Sequence, residues 1–338
     1  VINKILFDNA YDVAIRTVKT LDTTSYGEST ILRLKNVNSD YSEDFKDAIS
    51  DNNKPIVFSG GLFSDLFRWE DDNGLALQLA QEGRDVWEIE ITGGPQIECN
   101  TCPNYEYEDL VDYYWPALTS GIEQYSGKNT LQYVGHSNGC RVALDSLKNW
   151  SAIGKNNAGY YFDMDTGQYL LTDLSINPVD TFVGLGCPGA LNGSSEVISK
   201  GIENGDNAIQ HFGNIEQSHI SGREFAMRLG LLGVRFWPED SVSLNLLKFY
   251  HELTTSLEDS QPASGLNLNN FYLVAGNKAP LFYNPRNGND GLVPLEDMIA
   301  INSTVSYNNG ELKIFEIPHN EQIDNKKIHN YIKNKLGG

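Results

Sequence analysis

The stretch LQYVGHSNGCRVAL, Leu131 to Leu144, decides how the rest of the chain is read. An apolar run, Leu131–Val134, gives way to a helical-period segment, and a serine fenced by two glycines stands at the change. A side chain at the end of a strand can project its oxygen from a tight turn only if the backbone closes up without Cβ clashes. That requires glycine two residues before it and two after. Gly135 and Gly139 occupy those places, in the spacing G-x-S-x-G. The plainer reading is an ordinary strand-to-helix turn whose serine caps the helix. A strand before and a helix after are the context a nucleophile needs, so Ser137 is the candidate.

Outward from this turn, short apolar runs bounded by glycine alternate with helical-period segments from Lys54 onward, the pattern of βα units and a mostly parallel sheet. The runs are Pro55–Phe58, Asp85–Ile91, Leu131–Val134, Thr181–Leu185, Phe271–Ala275 and Leu312–Ile317. The helical candidates are Gly74–Gln81, Tyr107–Gln124, Asn138–Trp150, Leu292–Ile301 and Glu321–Leu336, with Gly83 as a stop signal after the first. Before Lys54, the β-branched runs Asp12–Leu21 and Thr30–Val37 read as antiparallel strands joined by the DTTSYGES turn. Ala158–Thr172 reads as a hairpin turning at Asp165–Gly167. Its Asp163 and Asp165 are a fragment of a calcium loop without the full ligand spacing, so a structural calcium is at most an accessory expectation.

Residues 192–269 break this rhythm. Two amphipathic helices are expected there, Gly222–Leu232 and Val242–Leu257, the second with Leu246, Tyr250, Leu253 and Leu257 on one face. The expected division is a core of residues 1–191 and 270–338 and an inserted helical unit of 192–269.

Composition sets the outer limits. With 338 residues, 40% of them hydrophobic, the chain is long enough for one large α/β core with an insertion. Twenty-five Lys and Arg against 45 Asp and Glu leave a formal charge of −20, which repels nucleic acid and anionic lipid. Ile56–Phe58 and Leu229–Val234 are far shorter than the roughly 20 apolar residues that cross a bilayer. The chain opens at Val1 with no leader, so any secretion signal is expected to have been removed or to lie outside it. Of the four cysteines, Cys140 and Cys187 fall in apolar segments and read as core residues. Cys99 and Cys102, in a polar loop, have the spacing of a small local bridge, and with the acidic surface they suggest an extracellular protein.

The GHSNG turn in its strand–helix context resembles the nucleophile elbow of the α/β-hydrolase superfamily, and within it the lipases and esterases. The resemblance runs from Lys54 to the C-terminus. It implies a mostly parallel sheet of about eight strands flanked by helices, with a helical cap inserted after the sixth strand at 192–269. It also implies a triad in the chain order serine, acid, histidine, the acid after the seventh strand and the histidine after the eighth. His319 directly follows the run LKIFEIP and is preferred to His329, which sits ten residues on in the last helix. His136, inside the turn, is expected to point away, and His211, His219 and His251 precede the acid-bearing strand. After FYLVAG, the family's NDGxV arrangement matches Asn289–Val293 and makes Asp290 the acid, with Glu296 and Asp297 as competitors from the next helix.

An oxyanion hole needs fixed N–H donors. The resemblance places them at the amides of Asn138 and of Leu62, in IVFSGGLFSD. The family has a bracing histidine where this chain has Gly60, so what holds the loop is open. Within the cap, Leu231, Phe236 and Trp237 offer apolar surface for an acyl chain. The implied activity is a carboxylic ester hydrolase acting on small-molecule or lipid esters without a cofactor. A thioesterase, amidase or polyester depolymerase on the same triad, or a silent binding protein on the same scaffold, are the alternatives.

Overall fold

The computed structural model describes residues 5–8, 11–21, 26–36, 54–62, 64, 69, 74–90, 107–153, 160–163, 168–171, 177–189, 219–221, 241–243, 265–278, 288 and 290–337. The chain opens with three antiparallel strands, β1 (Ile5–Asp8), β2 (Tyr11–Leu21) and β3 (Tyr26–Asn36). Then the alternation expected from the sequence begins: β4 (Ile56–Ser59), α1 (Leu75–Gln81) and β5 (Val86–Glu90). It continues through α2 (Tyr107–Asp109), a π-wound turn (Leu110–Tyr114) and α3 (Trp115–Ser126) to β6 (Leu131–His136) and α4 (Asn138–Ile153). A hairpin, β7 (Tyr160–Asp163) with β8 (Gln168–Leu171), precedes β9 (Val179–Leu185). Two short paired strands follow, β10 (His219–Ser221) and β11 (Ser241–Ser243). The chain ends with β12 (Asn267–Gly276), α5 (Leu295–Thr304), β13 (Ser306–Phe315), a 3-10 turn (His319–Gln322) and α6 (Lys326–Lys335).

Among the described residues nine strands form one sheet in the order β1-β2-β3-β5-β4-β6-β9-β12-β13, parallel from β5 to β13. Alternate side chains of a strand face opposite ways, and the interior strands carry apolar residues on both faces because helices cover both. Val57, Tyr133, Phe182 and Phe271 pack with Trp115, Leu118, Leu144 and Ile301 on one side. Ile56, Phe58, Val134, Val183 and Val274 pack with Leu75, Leu79, Ile328 and Ile332 on the other. From β4 the chain first steps to β5 on one side and then returns to β6 on the other. The order of strands reverses there, and open α/β sheets form their crevices at the carboxyl ends of strands flanking such a reversal.

Several expectations are corrected. The segment Tyr107–Gln124 is not uniformly α-helical: Pro116 lacks the N–H for a regular bond, and the amide of Trp115 reaches five residues back to Leu110 instead. The expected helix Val242–Leu257 cannot begin at Val242, because Val242 and Ser243 belong to β11, paired with Ile220 and His219. The remainder of that helix, all of Gly222–Leu232, and Leu231, Phe236 and Trp237 lie outside the described residues, as do Cys99 and Cys102. Glu321–Leu336 splits in two, since the Asn325 side chain accepts from the Lys327 amide and starts α6 afresh.

Cys140 and Cys187 are buried, as expected of core residues, and they form a disulfide, a pairing that the sequence leaves open. The bond ties the first turn of α4 to the loop after β9, across 47 residues. In the chain-entropy model a loop of that length gives about 4 kcal/mol. A Cys140→Ala/Cys187→Ala protein should therefore unfold at a clearly lower denaturant midpoint than the oxidised protein. An equal midpoint in urea would remove the bond from the account of stability.

Candidate active site

Ser137 follows β6 with φ +52°, the one non-glycine residue at positive φ among the described residues. An L-residue held there stores strain of about 1–3 kcal/mol, so the surroundings must fix it. Its amide donates to the Leu185 carbonyl at 2.8 Å, and its own carbonyl accepts from Cys140 and Arg141 as α4 begins. The flanking glycines are required by close approach. A Cβ on Gly135 would lie 2.9 Å from the Cys140 backbone, and one on Gly139 would lie 2.5 Å from the Gly60 carbonyl. Buried Tyr133 closes the turn by donating its hydroxyl to the Gly139 carbonyl at 2.8 Å, and burial raises its pKa, which keeps that donor protonated.

The loop after β4 is braced without a histidine. Gly139 donates to the Gly60 carbonyl at 3.1 Å, and Ser64 to that of Gly61 at 3.2 Å. Gly61 is pressed so closely on the serine that a Cβ there would stand 2.9 Å from Ser137 Cβ and 3.4 Å from its Oγ. Leu62, next in this turn, is partly buried and packs on the core. Asn138, the first residue of α4, is buried beside the serine. The amides of Leu62 and Asn138 are thus carried on two segments that meet at Ser137.

Two strands along, Asp290 and His319 meet. His319 Nδ1 donates to Asp290 Oδ2 at 2.7 Å, and the His319 amide donates to the Asp290 carbonyl at the same distance. The carboxylate is 1% exposed. Its Oδ1 accepts from the amides of Leu292 (3.0 Å) and Val293 (2.7 Å), the tight turn that the Asp-Gly sequence signals. Gly186, with φ +51°, lets the imidazole lie against the end of β9: a Cβ there would come within 2.8 Å of the ring. His319 Nε2 is buried and makes no hydrogen bond, so the serine–imidazole bond is not formed in this structure. A carboxylate on Nδ1 leaves Nε2 as the nitrogen with the free lone pair.

The competing residues are engaged elsewhere. Asp297 Oδ2 accepts from the Gly189 amide at 2.8 Å, and Glu296 is exposed on α5. His329 is buried and bonded to the Ile323 carbonyl, and burial lowers its pKa. His136 departs from expectation: its ring packs on that of His319 with centroids 4.6 Å apart, and its Nε2 donates to the His319 carbonyl at 3.1 Å. The register that sets His136 beside Leu185 brings this second ring to the site. Arg141 adds a further clamp, from its Nη1 to the carbonyls of Pro188 and Gly189 and from its Nε to Asp145. Among the described residues no cluster of three metal-ligating side chains occurs, and no helix is long and apolar enough to cross a membrane.

No protein-family model matches the chain. Part of it is similar to the tear acid lipase-like protein of Mesocricetus auratus, at 29% identity over 105 residues, covering 28% of this chain and 26% of that protein. The gastric triacylglycerol lipase of Rattus norvegicus is 26% identical over 120 residues, covering 32% and 30% respectively. The alignments thus span less than a third of the length of these relatives. Among solved structures, a protein of Agrobacterium vitis S4 classed as a hydrolase superimposes with TM-score 0.55 at 11% identity, over 96% of this chain and 99% of that one. A thermophilic esterase of Thermogutta terrifontis gives 0.54 at 10% identity, over 95% and 97%. An epoxide hydrolase of Bacillus megaterium gives 0.53 at 10% identity, over 99% and 100%.

Proposed function

The chain has the α/β-hydrolase fold, and on that premise we propose that it is a serine hydrolase cleaving carboxylic esters with apolar acyl groups through an acyl-enzyme. The observation that carries this reading is the buried Asp290–His319 hydrogen bond of 2.7 Å at the strand ends beside Ser137. His319 Nε2 takes the proton of Ser137 as Oγ attacks the acyl carbonyl, and Asp290 holds the Nδ1–H tautomer and stabilises the imidazolium. The amides of Leu62 and Asn138 receive the oxyanion, and α4 adds the positive end of its dipole. The alcohol leaves with the imidazolium proton, and water, deprotonated by the same nitrogen, releases the acid. Every step uses groups of the chain itself, so the proposal includes no cofactor.

The partial likeness to lipases favours ester substrates over the thioesters or amides that the same triad serves. The formal charge of −20 suits a neutral ester better than a polyanion. A buried disulfide suits an oxidising compartment, so the proposed location is extracellular. Turnover of p-nitrophenyl esters from two to sixteen carbons, together with fluorophosphonate labelling, tests the reading. Absence of both would sink it.

The expected insertion of 192–269 overruns β12, whose residues from Asn267 pair with β13 in the sheet; residues 192–264 are proposed to form the cap that shapes the acyl pocket, with Leu231, Phe236 and Trp237 on its substrate side. A short acyl group does not reach a cap. Replacing any of the three by alanine should lower kcat/KM for a twelve-carbon ester several-fold more than for a two-carbon ester, each buried large side chain being worth about 1.5–3 kcal/mol. An unchanged ratio of the two in all three folded variants would make the segment a decoration.

A further inference from the structure

Asp290 has a second side-chain donor. The Oδ2 that accepts from His319 Nδ1 also accepts from Gln322 Nε2, again at 2.7 Å. With Leu292 and Val293 on Oδ1, all of the roughly four lone-pair positions of the carboxylate are taken by donors. Gln322 is 0% exposed and lies in the same 3-10 turn as the histidine. Two strand ends hold it: a Cβ on Gly186 or Gly276 would stand 3.2 or 2.8 Å from its Nε2. Its Oε1, by contrast, is buried without a hydrogen bond. A buried unpaired oxygen lowers stability, and an apolar side chain of similar volume would avoid that loss. Packing therefore does not account for an amide at this position, whereas donation to Oδ2 does.

We propose that Gln322 is a positioning residue for the hydrolysis: it fixes the rotation of the Asp290 carboxylate and, through it, the tautomer and aim of His319. This rests on the serine-hydrolase reading above. Without the amide, Oδ1 stays on the Leu292 and Val293 amides, but Oδ2 has one donor and can swing about that anchor until the imidazole no longer presents Nε2 to Ser137. The ionisable group facing the pair from β6 is His136, and Asp297 from α5 is turned to Gly189. Gly186, Gly276, Leu292 and Val293, also described residues against the pair, are uncharged.

The test compares Gln322→Leu and Gln322→Glu with the native protein and Ser137→Ala, using p-nitrophenyl acetate kinetics and the proton NMR resonance of the imidazole Nδ1–H. Gln322→Leu should lower kcat about tenfold to a hundredfold with KM little changed, and displace the resonance. Gln322→Glu places a second carboxyl on Oδ2. Protonated, it donates as the amide does; ionised, it repels Asp290. Its activity, relative to the native protein, should therefore be best at the acid end and be lost as pH rises. A merely structural glutamine would lower the melting temperature in both variants and leave the resonance and the shape of the pH profile alone. The proposal is overturned if Gln322→Leu keeps native kcat and resonance, or if Gln322→Glu follows the native profile. Should Gln322→Leu not fold, the near-isosteric glutamate variant decides by its profile. If Ser137→Ala retained native turnover, the serine reading would fall, and the resonance in Gln322→Leu would still decide this one: displaced supports it, unmoved overturns it.

Discussion

Ser137→Ala is expected to abolish ester turnover and fluorophosphonate labelling while the protein melts at close to its native temperature. The substitution removes Oγ and nothing else. The Cβ that packs against Gly61 stays, and so do the amide bond to Leu185 and the carbonyl bonds that start α4. Alanine meets the same backbone penalty at φ +52° that serine does, so the strain of the turn is not relieved and the fold has no cause to shift. What is lost is the atom that bonds the acyl carbon, and loss of such a nucleophile costs on the order of 10³–10⁶ in rate. Measurement of kcat/KM on a two-carbon ester, beside a labelling gel and a melting curve, separates the cases. A folded variant that still takes the label would place the nucleophile on another residue.

The sequence was legible where a local rule acts alone. β4, β6 and β9 are short buried runs between turns, and each lies within a residue or two of its expected bounds. Of β13 only Leu312–Phe315 falls in an expected run, because Ser306–Gly310 is mostly polar and shows no apolar period. In the sheet its Asn308 and Asn309 donate to the side chains of Asn269 and Asn270 on β12, contacts that a local pattern cannot contain. β1, four residues long, has too few positions to display a period.

The same division runs through the site. Ser137, Asp290 and His319 each stand at a locally marked place: a glycine-fenced turn, an Asp-Gly turn after a strand, a histidine after the last strand. The parts that brace them were not visible. His136 reaches His319 only because β6 and β9 end in register, and that same pairing brings Cys140 to Cys187. Gln322 reads as the first turn of the last helix, and its partner lies 32 residues earlier. Gly60, which left the loop after β4 without its usual brace in the sequence, supplies the carbonyl by which Gly139 holds it.

The identity of the acid yields the other large effect. Asp290→Asn is expected to lower kcat/KM by roughly 10⁴ through the wrong tautomer, whereas Asp297→Asn should change it little. The carboxylate of Asp290 faces donors on both sides, Leu292 and Val293 at Oδ1, His319 and Gln322 at Oδ2. An asparagine has one oxygen for two such sides. Two backbone amides in a fixed turn hold that oxygen, so the NH₂ group is left facing the imidazole. His319 relieves the clash by moving its proton from Nδ1 to Nε2, so that Nδ1 accepts the amide hydrogen and Nε2 keeps no lone pair for Ser137. Asp297 accepts from the Gly189 amide, and an asparagine oxygen can do the same, so the change there acts on stability rather than on the histidine. Both variants are to be assayed on one short ester with melting temperatures in parallel. If Asp297→Asn proves the more damaging to kcat/KM in a folded protein, the hydrogen bond between Asp290 and His319 is not the one that orients the base.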